Sequence, residues 1–215
     1  MPEVLEVIAA SRLLPVVVID DAEAALPLAA ALKQGGLRCV EITFRTAAAA
    51  AALRAMAGDA DLTVGAGTVL SREQVDLALD AGARYIVTPG FSPEVVRHCQ
   101  HRSVPVFPGV ATATEIQAAM SAGLGTVKFF PAEPLGGVTM LRALGAPFPM
   151  MRFIPTGGIG PGNLAAYLGH PAVLAVGGSW MVAPSLVRAG DFAAITELTA
   201  EAVRLAAARA GSPPG

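Results

Sequence analysis

A lysine set inside an apolar run is the feature of this sequence best suited to covalent chemistry. Lys128 stands in Thr126-Val127-Lys128-Phe129-Phe130-Pro131, and the two-residue period of a strand puts Thr126, Lys128 and Phe130 on one face. Burying an ammonium costs several kcal/mol unless it is paired or neutralised. A neutral amine attacks carbonyl carbons, whereas one paired with an interior carboxylate or snorkelling to the rim is only structural.

A second polar stripe runs through Arg38-Cys39-Val40-Glu41-Ile42-Thr43-Phe44-Arg45. Alternation puts Val40, Ile42 and Phe44 on one face and Glu41, Thr43 and Arg45 on the other. If the apolar set packs on helices, the stripe lines the interior and brings an acid and a guanidinium near Lys128. That suits a general acid/base and an anion clamp; the plainer alternative is an internal Glu41–Arg45 ion pair. Two glycine turns, Pro155-Thr156-Gly157-Gly158-Ile159 and Val176-Gly177-Gly178-Ser179, suit backbone contacts to an anion such as phosphate. Gly65-Ala66-Gly67-Thr68 offers the Thr68 hydroxyl to the same cavity, and its lone GxG is too unspecific to read as a nucleotide loop.

These residues fall at the ends of short β-branched runs over residues 13–19, 38–44, 62–69, 85–88, 104–110, 126–130, 152–156 and 173–177. Their continuous apolar character predicts parallel strands covered on both faces. Ala/Leu-rich helical segments lie between them, with caps at Ser71, Ser92 and Thr112 ahead of acidic first turns. The alternation predicts an α/β fold, a single-domain (β/α)8 TIM barrel over residues 1–210, with an extra N-terminal helix over 2–10 plugging its bottom. A last helix over 191–208 and a frayed tail over 211–215 complete the chain. An open doubly wound sheet is disfavoured, because Val18-Ile19-Asp20-Asp21 replaces a glycine-rich turn after the first run.

Composition narrows the function classes. The 215 residues carry 15 Lys+Arg against 17 Asp+Glu, a balance with no footprint for nucleic acid. Mean hydropathy is +0.57, yet no apolar stretch approaches the ~20 residues that span a bilayer. Glu3 and Glu6 occupy the place of a signal peptide's basic region, so a cytoplasmic location is expected. Cys39 and Cys99 form no CxxC pair, and His98, His101 and His170 supply too few ligands for a metal site.

Six motifs occur together in an order that resembles the 2-keto-3-deoxy-6-phosphogluconate (KDPG) and 2-keto-4-hydroxyglutarate (KHG) aldolases. They are Glu41-Ile42-Thr43-Phe44-Arg45-Thr46, Gly65-Ala66-Gly67-Thr68-Val69, Thr88-Pro89-Gly90, Val127-Lys128-Phe129-Phe130-Pro131-Ala132, Pro155-Thr156-Gly157-Gly158-Ile159 and Gly177-Gly178-Ser179-Trp180. The resemblance implies a metal-independent class I aldolase without a cofactor, in which Lys128 forms the Schiff base and Glu41 shuttles protons. It implies that Arg45 and Thr68 hold the substrate carboxylate and that Pro89 and Phe130 shape the pyruvyl site. Thr156, Gly157, Gly158, Gly178 and Ser179 would surround the distal phosphate.

The substrate so implied is a phosphorylated 2-keto acid, KDPG, cleaved to pyruvate and glyceraldehyde 3-phosphate, with 4-hydroxy-2-oxoglutarate cleaved to pyruvate and glyoxylate as a second activity. Its galactonate-derived epimer, a phosphate-binding isomerase or synthase without a covalent lysine, and a catalytically idle ligand-binding barrel are the alternatives. Family members are similar in being homotrimers. Some carry an arginine where this sequence has Val18, which shifts phosphate binding here toward backbone N–H groups.

Overall fold

The apolar runs become strands because β-branched side chains pack well on a pleated surface buried from both sides. The computed structural model describes residues 2–210, and the tail expected over 211–215 lies outside them. The strands are β1 (Leu13–Val17), β2 (Cys39–Thr43), β3 (Thr63–Gly67), β4 (Ile86–Val87), β5 (Val106–Phe107), β6 (Gly109–Val110), β7 (Thr126–Phe129), β8 (Arg152–Pro155) and β9 (Val176–Gly178). The helices are α1 (Pro2–Ser11), α2 (Ala25–Gln34), α3 (Ala49–Ala57), α4 (Arg72–Asp80), α5 (Pro93–His101), α6 (Ala113–Ser121), α7 (Gly137–Gly145), α8 (Pro161–Leu168), α9 (Pro184–Ala189) and α10 (Phe192–Ala210).

All strand pairs are parallel, in a six-stranded sheet ordered β5-β4-β3-β2-β1-β9 and a three-stranded sheet ordered β6-β7-β8. The eight expected runs are thus nine strands, because the run over 104–110 breaks at Pro108, which has no N–H to donate. Residues before the break pair with β4, and those after it pair with β7. Isolated bridges Phe153↔Val173 and Thr156↔Gly177 link β8 to the β9 segment.

Helices begin where their caps require. The Ser71 hydroxyl accepts from the Gln74 N–H at 3.3 Å and that of Ser92 from the Val95 N–H at 3.4 Å, while Thr112 and Glu115 cap each other reciprocally. Val40 and Ile42 face outward into the larger apolar cluster with Leu28, Leu32 and Leu53 of the helices. Val4 and Ile8 of α1 join Leu14, Cys39, Tyr85, Val87, Phe107, Ile154 and Ala175 on the opposite strand face. Each fully buried phenylalanine such as Phe129 or Phe153 contributes about 2 to 3 kcal/mol by leaving water.

Both cysteines are buried and free, with thiols pushed up to about 12 by burial. His98 packs 3.0 Å from Asp76, which also receives Arg102, and so sits in a surface ion-pair cluster. No helix among the described residues is long and apolar enough to cross a membrane.

Candidate functional site

Lys128 is placed by the β7 ladder. Its N–H donates to the Pro108 carbonyl at 2.9 Å, and it sits in register with Gly109 on one side and Ile154 on the other. Glu41 is held in the middle of β2, in register with Val16 and Gly65. Both side chains point into the interior with 7% and 1% exposure, and the Lys128 Nζ lies 3.5 Å from Glu41 Oε1. The same nitrogen stands 5.1 Å from the centre of the Phe130 ring. A buried pair of this kind stabilises little, because desolvating both groups offsets their attraction. The arrangement puts an amine and a carboxyl in contact and sheltered from water, groups that could act as nucleophile and proton acceptor.

The carboxylate fits only because Gly67 faces it. A Cβ there would stand 1.9 Å from Oε1 and 2.5 Å from Cγ and Cδ. Thr43, wholly buried two residues on, donates its hydroxyl to the Val17 carbonyl at 2.7 Å and ties β2 to β1. The Tyr85 hydroxyl donates to the Val40 carbonyl at 2.7 Å, fixing the backbone just before Glu41. Burial holds that phenol well above its ordinary range, with Cys39 and Glu41 adding to the effect, so it remains a donor.

Beside Phe130 opens a cavity of about 210 Å³. Its wall includes Arg45, Phe130, Thr156, Gly157, Gly158, Gly178 and Ser179, so seven of the expected site residues share one space. Gly157 and Gly158 have φ of +106° and +77°, the left-handed region that glycine enters without strain. Neither residue has a side chain of its own, so their share of the cavity wall is main chain.

The geometry also shows where Arg45, Thr68 and Pro89 stand. Arg45 does not pair with Glu41, whose partner is Lys128. β2 ends at Thr43 and residues 44–46 turn, so Arg45 has left the alternation that put it beside Glu41 and reaches the cavity from an exposed position. Thr68, expected to offer its hydroxyl to the cavity, and Pro89, expected at the pyruvyl end, are not among the residues lining this cavity. Thr68 is half-buried just after β3 at φ +57°, and the Pro89 carbonyl closes against Gly109, where a Cβ would meet it at 2.0 Å.

The sequence reading missed Val16, Ile159 and Pro184 in the cavity wall and Tyr85 beneath Glu41. Val16 was findable, since it shares its strand face with Leu14 and Val18. A larger hollow of about 580 Å³ lies against β5 and the start of β7, lined by Leu5, Val104, Phe107 and Leu124 among others, with no ionisable side chain among the described residues that line it.

Comparison with known proteins gives one consistent answer. The family model described as KDPG and KHG aldolase matches residues 4–198. A 2-dehydro-3-deoxy-phosphogluconate aldolase of Treponema pallidum is 50% identical over 206 residues, covering 95% of this chain and 98% of that protein. The KDPG aldolase of Legionella pneumophila, solved with pyruvate captured as a covalent carbinolamine, superposes with a TM-score of 0.89 at 40% identity, covering 92% of this chain and 96% of that one. The Zymomonas mobilis enzyme solved with 3-phosphoglycerate has a TM-score of 0.89 at 39% identity, covering 95% of this chain and 97% of that one.

Proposed function

The chain belongs to the KDPG and KHG aldolase family, and from that premise we propose that Lys128 is its Schiff-base lysine and Glu41 its proton shuttle. The protein is a lyase of the metal-independent Schiff-base class, cleaving KDPG to pyruvate and glyceraldehyde 3-phosphate. The observation that carries the assignment is the buried 3.5 Å contact between Lys128 Nζ and Glu41 Oε1, with Phe130 linking it to a cavity walled by glycine turns.

The geometry supports the following course. Lys128, having passed its proton to Glu41, attacks the C2 ketone and forms a carbinolamine; Glu41 returns that proton to the carbinolamine hydroxyl, which leaves as water and gives an iminium beside a carboxylate again free to act as a base. Glu41 then takes the C4 hydroxyl proton, directly or through one water. The C3–C4 bond breaks, its electron pair flows into the iminium, and the aldehyde leaves. Protonation of the enamine at C3 and hydrolysis release pyruvate and restore the amine. Arg45, the one charged residue in the cavity wall among the described residues, clamps an anionic end of the substrate and lowers the entropic cost of alignment. Thr156, Gly157, Gly158, Gly178 and Ser179 receive the distal phosphate, and a relative from Zymomonas mobilis was solved with a phosphorylated three-carbon acid, 3-phosphoglycerate. Thr68 and Pro89 bound the pyruvyl end from the neighbouring strand ends, a role that rests on the motifs alone. KHG cleavage is the second activity, in keeping with the family's description.

The architecture we propose is a closed (β/α)8 cylinder in one folded unit over residues 1–210. The two bridges between β8 and the β9 segment, together with the continuation of β5 into β6, support it. A homotrimer in the cytoplasm is the proposed working form, and light scattering of the purified protein tests the assembly.

The deciding experiment is to incubate the protein with pyruvate, reduce with borohydride and map the adduct by mass spectrometry. A single adduct on Lys128 is expected. A folded sample without one refutes the assignment, because an isomerase or an idle binding barrel forms no covalent link to pyruvate.

A further inference from the structure

The segment after β7 and the turn after β8 are built as one piece. Past Lys128 and Phe130, the chain runs through Pro131, Ala132 and Glu133 alongside residues 156–158. The Ala132 N–H donates to the Thr156 carbonyl at 2.8 Å and the Glu133 N–H to the Gly157 carbonyl at 3.0 Å. The Glu133 stem lies against Gly158 so closely that a Cβ there would meet Glu133 Cβ at 2.6 Å. On the other side of the turn stands α8. Its Asn163 amide donates to the Gly158 carbonyl at 3.2 Å while its amide oxygen accepts from the Gly160 N–H at 2.8 Å. One helical turn on, on the same face, Tyr167 is completely buried and donates its hydroxyl to Glu133 Oε1.

We propose that Tyr167 and Glu133 are a positioning pair, joining α8 to the segment after the Schiff-base strand so that the Gly157-Gly158 turn between them keeps the shape that receives the substrate's distal phosphate. The inference rests on reading that turn as the phosphate subsite. Two further features give the pair its importance. Among the described residues Arg45 is the only charged one in the cavity wall, and Val18 stands in that wall. With Arg45 committed to the keto-acid end, the phosphate depends on main-chain amides and the hydroxyls of Thr156 and Ser179. Amide donors bind an anion well only when held in place beforehand, since otherwise binding must order them. A buried phenol also needs an acceptor. Burial first, and the Glu133 carboxylate second, raise the Tyr167 hydroxyl well above its ordinary range and keep it a donor.

The test compares KDPG with the same six-carbon acid lacking its phosphate, for wild type, Tyr167→Phe, Glu133→Ala and Glu133→Gln, with pyruvate trapping run in parallel. Tyr167→Phe is expected to raise KM for the phosphorylated substrate about tenfold, the size of a lost hydrogen bond to a charged group. KM for the unphosphorylated acid and trapping at Lys128 should stay at wild-type values. Glu133→Ala, at an exposed position, should reproduce the effect even if Tyr167→Phe folds poorly. Glu133→Gln, which keeps an acceptor oxygen, should recover most of the affinity. Equal losses on both substrates, or none on either, overturn the inference and leave the aldolase assignment standing. Absence of trapping in the wild type overturns the assignment itself, and equal KM of the wild type for the two acids overturns the phosphate reading of the turn.

Discussion

Replacing Gly67 by alanine isolates the placement of the Glu41 carboxyl from its chemistry, because no functional group is removed. The added Cβ would stand 1.9 Å from Glu41 Oε1, while ordinary contact begins at 3.4 Å, so the carboxyl must retreat by about 1.5 Å. Gly67 is not in the left-handed region, so the backbone accepts alanine and the cost falls on packing, about 1 to 3 kcal/mol of stability. A displacement of ~1 Å at a reacting group costs on the order of 10²-fold in rate. The expected result is a folded protein with kcat for KDPG down by about 10²-fold, measured by coupling released pyruvate to lactate dehydrogenase. Trapping of pyruvate on Lys128 by borohydride should persist, because the nucleophile itself is not displaced. Full turnover in a folded Gly67→Ala protein would refute the argument that this glycine makes room for a working Glu41.

Lys128→Met should abolish both adduct and turnover, and it should cost about 3 kcal/mol of stability by leaving Glu41 without its buried partner; urea unfolding should show part of that loss recovered in Lys128→Met/Glu41→Gln. Glu41→Gln alone should lower kcat by about 10² to 10⁴-fold with the pyruvate adduct still detectable by intact mass. Phe153→Ala, in the fully buried core, should destabilise by about 3 to 5 kcal/mol in the same urea assay. Folding raises the Cys39 and Cys99 thiols from 9.0 to about 12, so their contribution to stability is intact below the unfolded value and is lost as pH climbs toward the folded one. The unfolding midpoint of a Cys39→Ala/Cys99→Ala protein should therefore fall less steeply across that range than the wild type's.

Local chemistry made much of this molecule readable. Ser71, Ser92 and Thr112 announce helices because a cap is settled by its own neighbouring residues. Lys128 and Glu41 could be placed inside because alternation within one strand decides which face a side chain takes. Alternation fails where a strand stops: Arg45 follows the end of β2, and nothing in its neighbours marks Thr43 as the last paired residue. The divided fifth strand reflects Pro108, a visible residue whose effect depends on which strands flank it. The Glu133–Tyr167 link joins positions 34 apart in sequence, and no periodicity encodes such a pairing. Nor is the fit of Glu41 over Gly67 visible from spacing, because it requires the register of β2 against β3.

Gly178 borders the cavity, and a side chain there would collide with the indole of Trp180, whose Cζ3 lies 1.8 Å from the position its Cβ would take. Trp180 is the sole tryptophan of the chain. Its ultraviolet emission therefore comes from one ring resting directly behind the wall that an incoming anion would touch. If the proposed anion site is right, titrating the protein with inorganic phosphate should change that emission without a label and without turnover, and an unchanged spectrum at saturating phosphate would count against it.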